Sequence, residues 1–332
     1  MRRLFLYCFA STFTIIGSII GAGFITGKEV FEFFAKDFSL SGMYLTFLCF
    51  TFTIYFVMQY MSGDKAIKCV EMFVCLSNVV VAGCMVSALD LVYKRLFCVT
   101  ENIKIFSIIT AILLLIIAKK GVWAVEKFCA LTLPFVIVII VVLSLIKIED
   151  YAVVITPNTS SGVVKPFVYV GFNVALSAGI IKNSGEKLSP PFKFIASVAT
   201  SFIICICIFL LSLAVKNNGK ASEMPFVSLF YSNKKLLKIV DIITLFAIYS
   251  TLISSLYTVN SFAGLKVKSC YKFALFFAVI SISFLGFESI VERVYPTLGI
   301  LSYAFILITF LLSTPFLKGR RLHTLPLLKH KE

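Results

Sequence analysis

Residues 16–29 read IGSIIGAGFITGKE, inside the first long apolar run of the chain. Four glycines (Gly17, Gly21, Gly23 and Gly27) fall within eleven positions, and Lys28 and Glu29 follow at once. Lipid offers no partner to a freed N–H or C=O, so a spanning helix opens only against protein or a water-filled cavity. Two readings fit the glycines. Gly17/Gly21 and Gly23/Gly27 both match G-x-x-x-G, which lets two helices approach closely. Alternatively, the backbone opens from Gly21 to Gly27, where the lack of a Cβ removes the usual restriction on φ. The second half of an opened helix turns its N–H groups and positive dipole end toward an anionic group. The free carbonyls of the first half suit a small cation.

The composition makes a membrane the setting. Of 332 residues, 60% are hydrophobic and 14% charged, against about 45–50% and about 25% in soluble chains. Runs near the length of about 20 residues that spans a bilayer recur at 7–35, 42–61, 70–93, 103–118, 122–146, 163–181, 192–215, 236–263, 271–290 and 295–317. The expected fold is an all-α polytopic membrane protein, one transmembrane domain over residues 1–332. Arg2 and Arg3 before an apolar run mimic a secretory signal. That run is too long and continues into Lys28 and Glu29, so it is read as a mature helix.

The net charge of +15 fits basic loops at a membrane surface rather than a nucleic-acid partner. Lys and Arg favour the loops that share a side with the N-terminus, which places both termini and a basic tail, 318–332, in the cytoplasm. The ten cysteines show no C-x-x-C, and the two histidines, His323 and His330, sit in the tail. No His-based triad, zinc site or His proton relay can therefore lie in the membrane body, and an enzyme is not expected. No Walker A sequence is present either.

A second candidate opening lies in the sixth run at 169–173, YVGFN, with Pro166 before it and Gly179 after it. Gly with Asn is also common at helix–helix contacts. Runs one and six correspond if the two halves are repeats, and paired Gly-interrupted segments at matching positions point to a transporter site. In the eighth run Thr251, Ser254 and Ser255 share one helix face, although such hydroxyls also bond their own i−4 carbonyls. Ionisable groups inside a span are functional candidates by default. Glu29 is read as a proton carrier or outer gate, or else as an ion-pair partner of Lys28 or an outer loop. Asp90 and Asp241 are expected near solvent, Glu288, Glu292 and Arg293 at the turn into run ten, and Asn78 at the cavity or between helices. Lys127 is read as snorkelling. Phe24, Tyr169 and Phe172 flank the two openings and can close over a solute.

At these residues the chain resembles a known group. GSIIGAGFITGKEVFEFF is similar to the start of YkvI-type bacterial membrane proteins of the amino acid–polyamine–organocation (APC) superfamily. The likeness continues in Gly121-Val122, Val125-Glu126, Pro134, YVGFN at 169–173, Glu223-Met224-Pro225, Gly286-Phe287, Tyr295-Pro296 and Gly299. It implies the LeuT-like fold: about ten helices as two inverted five-helix repeats, about 7–146 and about 163–317, with helices one and six broken. It also implies substrate contacts from Gly21, Ala22 and Gly23, with Phe24 and Thr26 alongside, faced by Tyr169, Gly171, Phe172 and Asn173. Many APC permeases carry a carboxylate where Asn173 stands. An amide both donates and accepts, which suits a neutral polar or zwitterionic solute. In sodium-coupled relatives of this fold, residues placed like Thr251, Ser254 and Ser255 meet helix-one carbonyls around Na⁺, and oxygen ligands suit that hard cation.

The resulting expectation is a secondary transporter of a small organic solute in the bacterial cytoplasmic membrane. It would carry an amino acid or related compound, coupled to Na⁺ or H⁺ with no other cofactor or metal. The alternative is a transporter-like sensor that binds its solute without moving it. Substrate identity, direction and oligomeric state have no signature in the sequence.

Overall fold

A computed structural model of the chain describes residues 2–60, 68–99, 104–148, 161–186, 188–216, 222–264 and 269–313. The basic tail and its two histidines lie outside the described residues. Helices occupy all ten apolar runs, and no strand occurs among the described residues. The first run is divided into α1 (Arg2–Ile19), α2 (Ala22–Ile25) and α3 (Lys28–Val30), the last prolonged by a wide π-type turn over Phe31–Ala35. Then come α4 (Leu40–Tyr60), α5 (Lys68–Phe97), α6 (Lys104–Ala118), α7 (Val122–Ile148), α8 (Ser161–Glu186) and α9 (Pro190–Val215). A short helix, α10 (Pro225–Ser228), precedes α11 (Lys234–Gly264) and α12 (Ser269–Ser283). Finally α13 (Phe287–Ser289) passes through a second wide turn, Ile290–Val294, into α14 (Tyr295–Ser313).

Among the described residues six helices are individually long and apolar enough to cross a bilayer, including Met72–Phe97, Pro190–Val215 and Lys234–Ser261. A further pair, Phe273–Ser283 and Phe287–Ile306, meets that test together and bends by 104° between its halves. The break ends α1 at Ile19. The surface is what lipid selects: Trp123, Leu131, Phe135, Phe273 and Phe277 all point outward. Inside, α1, α4, α8 and α9 pack into one group, and α5, α6, α11 and α12 into another. The contacts come in matched sets when the first five runs are paired with the last five. Thus α1–α9 mirrors α8–α4, α5–α12 mirrors α11–α6, and α7–α1 mirrors α14–α8. Two repeats carrying equivalent contact faces produce this pairing.

The first run breaks as expected, and both readings of its glycines are realised. A Cβ on Gly17 would collide with Leu133 of α7, so this glycine serves close packing. At Gly21 the chain turns extended (φ −98°, ψ −173°), and the Gly21 N–H donates to the Ile19 carbonyl (3.0 Å) instead of continuing the helix. Gly27 then takes a left-handed conformation (φ 78°), which an L side chain resists. Gly286 also takes a positive φ (86°), with an extended ψ of 147°, before α13, so α3 and α13 each follow a positive-φ glycine and lead into a wide turn.

The sixth run corrects the expectation of a second broken helix. Helix α8 continues unbroken through 169–173. Gly171 is there for packing: a Cβ would strike the Tyr303 ring, which stacks on Phe167 at 3.9 Å. The Tyr303 hydroxyl donates to the Phe167 carbonyl (2.6 Å). Asn173 donates to the Tyr169 carbonyl one turn back (3.0 Å), a bond that an intact helix supplies. Pro166, the sixth residue of α8, lacks the N–H that would bond back to the Gly162 carbonyl, yet the helix continues past it.

Candidate functional site

The break in the first run exposes peptide groups to the interior. Ala22 and Gly23 occupy the first turn of α2, where N–H groups have no intrahelical partner, and Gly21 provides no capping side chain. Thr26 caps locally by donating to the Gly23 carbonyl (3.1 Å). On the far side the Phe226 N–H of α10 donates to the Thr26 carbonyl (2.9 Å), and Phe226 packs against Gly27. The short helix α10 therefore covers the opened segment.

Beneath this cover lies a cavity of about 20 Å³, room for roughly one water molecule or small ion. Ser18, Ile19 and Gly21 reach it from the break, and Glu29 from α3. Asn78, Val81 and Met85 come from α5, Phe172, Asn173 and Leu176 from α8, and Tyr295 from the start of α14. Helix α11 contributes Thr251, Ser254 and Ser255. The expected hydroxyl face thus meets the expected break. A Cβ on Gly21 would lie 2.7 Å from the Thr251 hydroxyl oxygen, so the glycine allows α1 and α11 to approach this closely. Thr251 spends its proton on the Ala247 carbonyl (3.0 Å), leaving lone pairs toward the cavity. Ser254 and Ser255 make no side-chain hydrogen bond to any described residue, so their hydroxyls remain open to a guest.

Glu29 dominates the electrostatics. It is 5% exposed, and its carboxylate folds over Gly23, where any Cβ would collide with it. The Tyr169 hydroxyl faces Glu29 without an aligned hydrogen bond. Lys28, the adjacent cation, turns the other way. Its ammonium lies 2.6 Å from Glu288, 2.7 Å from Glu292 and 3.9 Å from Glu32, which excludes the expected Lys28–Glu29 pair. Among the described residues no Lys or Arg pairs with Glu29. A buried carboxylate in this position is offset only by a cation or a proton taken into the cavity.

The remaining candidates divide by position. Gly21, Glu29, Phe172, Asn173, Thr251, Ser254 and Ser255 line the cavity, and Gly23 seats the Glu29 carboxylate. Ala22, Phe24 and Thr26 are buried around the break without reaching it. Tyr169 packs among Phe33, Phe34 and Phe50, and Gly171 faces Tyr303 on the other side of α8. Asn78 does both jobs foreseen for it, lining the cavity while donating to the carbonyls of Val74 (2.8 Å) and Leu176 (3.4 Å). Asp90 and Asp241 are not at solvent: both are buried, paired with Lys94 (3.0 Å) and Arg95 (2.8 Å). Lys127 is exposed, its ammonium 4.9 Å from the centre of the Trp123 ring. Ser18, Ile19, Val81, Met85, Leu176 and Tyr295 were not foreseen as lining. Of these only Tyr295 carries a sequence signal, its Tyr-Pro pair, and its ring packs 4.4 Å from Phe172.

Comparison with known proteins agrees with this architecture. No protein-family model matches the chain. One sequence relative is 25% identical over 327 residues, covering 89% of this chain and 92% of its own length. It is the uncharacterized membrane protein YkvI of Bacillus subtilis. The YkvI resemblance of the glycine motif therefore extends along nearly the whole chain. Among solved structures, a nucleobase-cation-symport-1 family transporter, in a closed conformation with bromovinylhydantoin bound, superposes with a TM-score of 0.54. It is 14% identical, with 90% of this chain and 75% of that one covered. A manganese transporter of Eremococcus coleocola, in complex with an aromatic bis-isothiourea substituted compound, gives 0.50 at 12% identity, covering 94% and 78%. At these identities the likeness is one of fold, and that fold is LeuT-like.

Proposed function

We propose that the chain is a secondary transporter of a small organic solute, an amino acid or related compound, coupled to Na⁺ or H⁺. One observation carries the reading: a buried carboxylate and three helix-α11 hydroxyl-bearing residues converge on opened backbone. Peptide N–H groups there suit a solute carboxylate. The Thr251, Ser254 and Ser255 oxygens suit a small hard cation, and Glu29 suits a proton or cation. The YkvI resemblance supports a membrane setting, and the transporters of similar fold support transport. Orientation follows the basic loops, with both termini in the cytoplasm of a bacterial cell.

The cavity as it stands admits a water or an ion but no amino acid, so the geometry corresponds to a closed state. On one side α10 and the Lys28–Glu288–Glu292 cluster lie over the break. Alternating access would move one helix group against the other around Glu29. The test is accumulation of radiolabelled amino acids and nucleobases in proteoliposomes, with Na⁺ and pH gradients imposed separately. Gradient-driven accumulation supports the reading. Saturable binding without accumulation would replace it with the sensor, and neither binding nor uptake across the panel would refute both.

A further inference from the structure

A second cavity, about 460 Å³, lies between α6, α11 and α12 and shares no lining residue with the central site. Its size falls within the range of about 300–1,000 Å³ typical of ligand sites. Ile112, Leu115, Leu256 and Phe276 give it apolar walls, while Lys119 and Asn260 stand at one end. Lys120, next in sequence, is exposed as well. This end is remote from the Arg95–Asp241 pair: along α6, Thr110 meets the Tyr93 hydroxyl (3.0 Å) near that pair, and Lys119 lies nine residues further on. In sequence, 264–272 reads GLKVKSCYK, with three lysines and no acid.

We propose that this groove binds an anionic phospholipid, its acyl chain between α6, α11 and α12 and its phosphate at Lys119 and Lys120. An apolar void forfeits dispersion contacts unless something fills it, and the helices around it face lipid through Ile112, Ile116 and Phe273. A neutral lipid would account for the walls but leave the lysines unused. A small free anion would account for the lysines but leave the walls unfilled. An anionic phospholipid satisfies both ends, as basic pockets between membrane helices do. The proposal is independent of the transport reading.

The experiment is native mass spectrometry of the full chain from micelles doped equally with phosphatidylglycerol and phosphatidylcholine. The wild type retains phosphatidylglycerol in preference, and K119Q/K120Q lowers that preference roughly tenfold at unchanged melting temperature. Leu115→Trp, which fills the groove, reduces retention of both lipids. Equal retention by the wild type, or an unchanged preference in K119Q/K120Q, overturns the proposal. So does a lipid-free dimer that dissociates in Leu115→Trp, since a second copy would then occupy the groove.

Discussion

Lys28→Gln is expected to loosen the cover of the site without unfolding the protein. The Lys28 side chain is only 4% exposed, yet its partners Glu288 and Glu292 are 43% and 39% exposed. Removing one member of a fully buried pair costs about 3–5 kcal/mol, whereas an exposed pair contributes about 0.2–1 kcal/mol. The half-exposed acids regain water when the lysine is lost, so two contacts at 2.6 and 2.7 Å sum to roughly 1–2 kcal/mol. That favours the open arrangement by about 5–30-fold. Cys84 reports it, because its thiol is fully buried 4.0 Å from the Phe287 carbonyl of α13. Separation of α3 from α13 would bare it. Labelling by a small membrane-impermeant thiol reagent in proteoliposomes, resolved by peptide mass spectrometry, should accelerate at Cys84 by that factor. Cys129 and Cys207, buried elsewhere, should keep their wild-type rates. An unchanged Cys84 rate, or a parallel rise at all three, would refute the reasoning.

Other positions separate packing from binding. Gly17→Leu should lower the melting temperature, since overpacking against Leu133 costs about 1–3 kcal/mol. Gly171→Ala should destabilise by a similar amount through Tyr303 while leaving the affinity for an identified solute within about twofold; a selective loss of affinity would reinstate that glycine as a site residue. Tyr295→Phe removes a buried hydroxyl that has no partner among the described residues, so stability should hold or rise, by about 1 kcal/mol at most. Solute affinity should fall if that hydroxyl meets the solute, and titration calorimetry alongside thermal unfolding reads both.

The ten apolar runs were legible because lipid imposes length and hydropathy on each run separately. The first break was legible because four clustered glycines, followed by charges, leave few other arrangements. Gly171 and Asn173 misled because an opened helix and a packed one draw on the same residues. Only the position of Tyr303, far along the chain, decides between them. Glu29 and the α11 hydroxyls announced themselves as polar groups where polarity is costly. Val81, Met85 and Leu176 did not, since they are ordinary members of apolar helices and only the packing of α5 and α8 brings them to the cavity. The partners of Lys28 were equally unreadable, lying 260 residues away at Glu288 and beyond it at Glu292.

The Glu29 cavity at the break is proposed as the coupled transport site. Its most direct test compares gradient-driven solute accumulation by wild type and Glu29→Gln in the same proteoliposome preparation. Concentrative uptake by the wild type is expected, with a loss of roughly tenfold or more in Glu29→Gln, the variant remaining folded. Equal accumulation by the two proteins would contradict it.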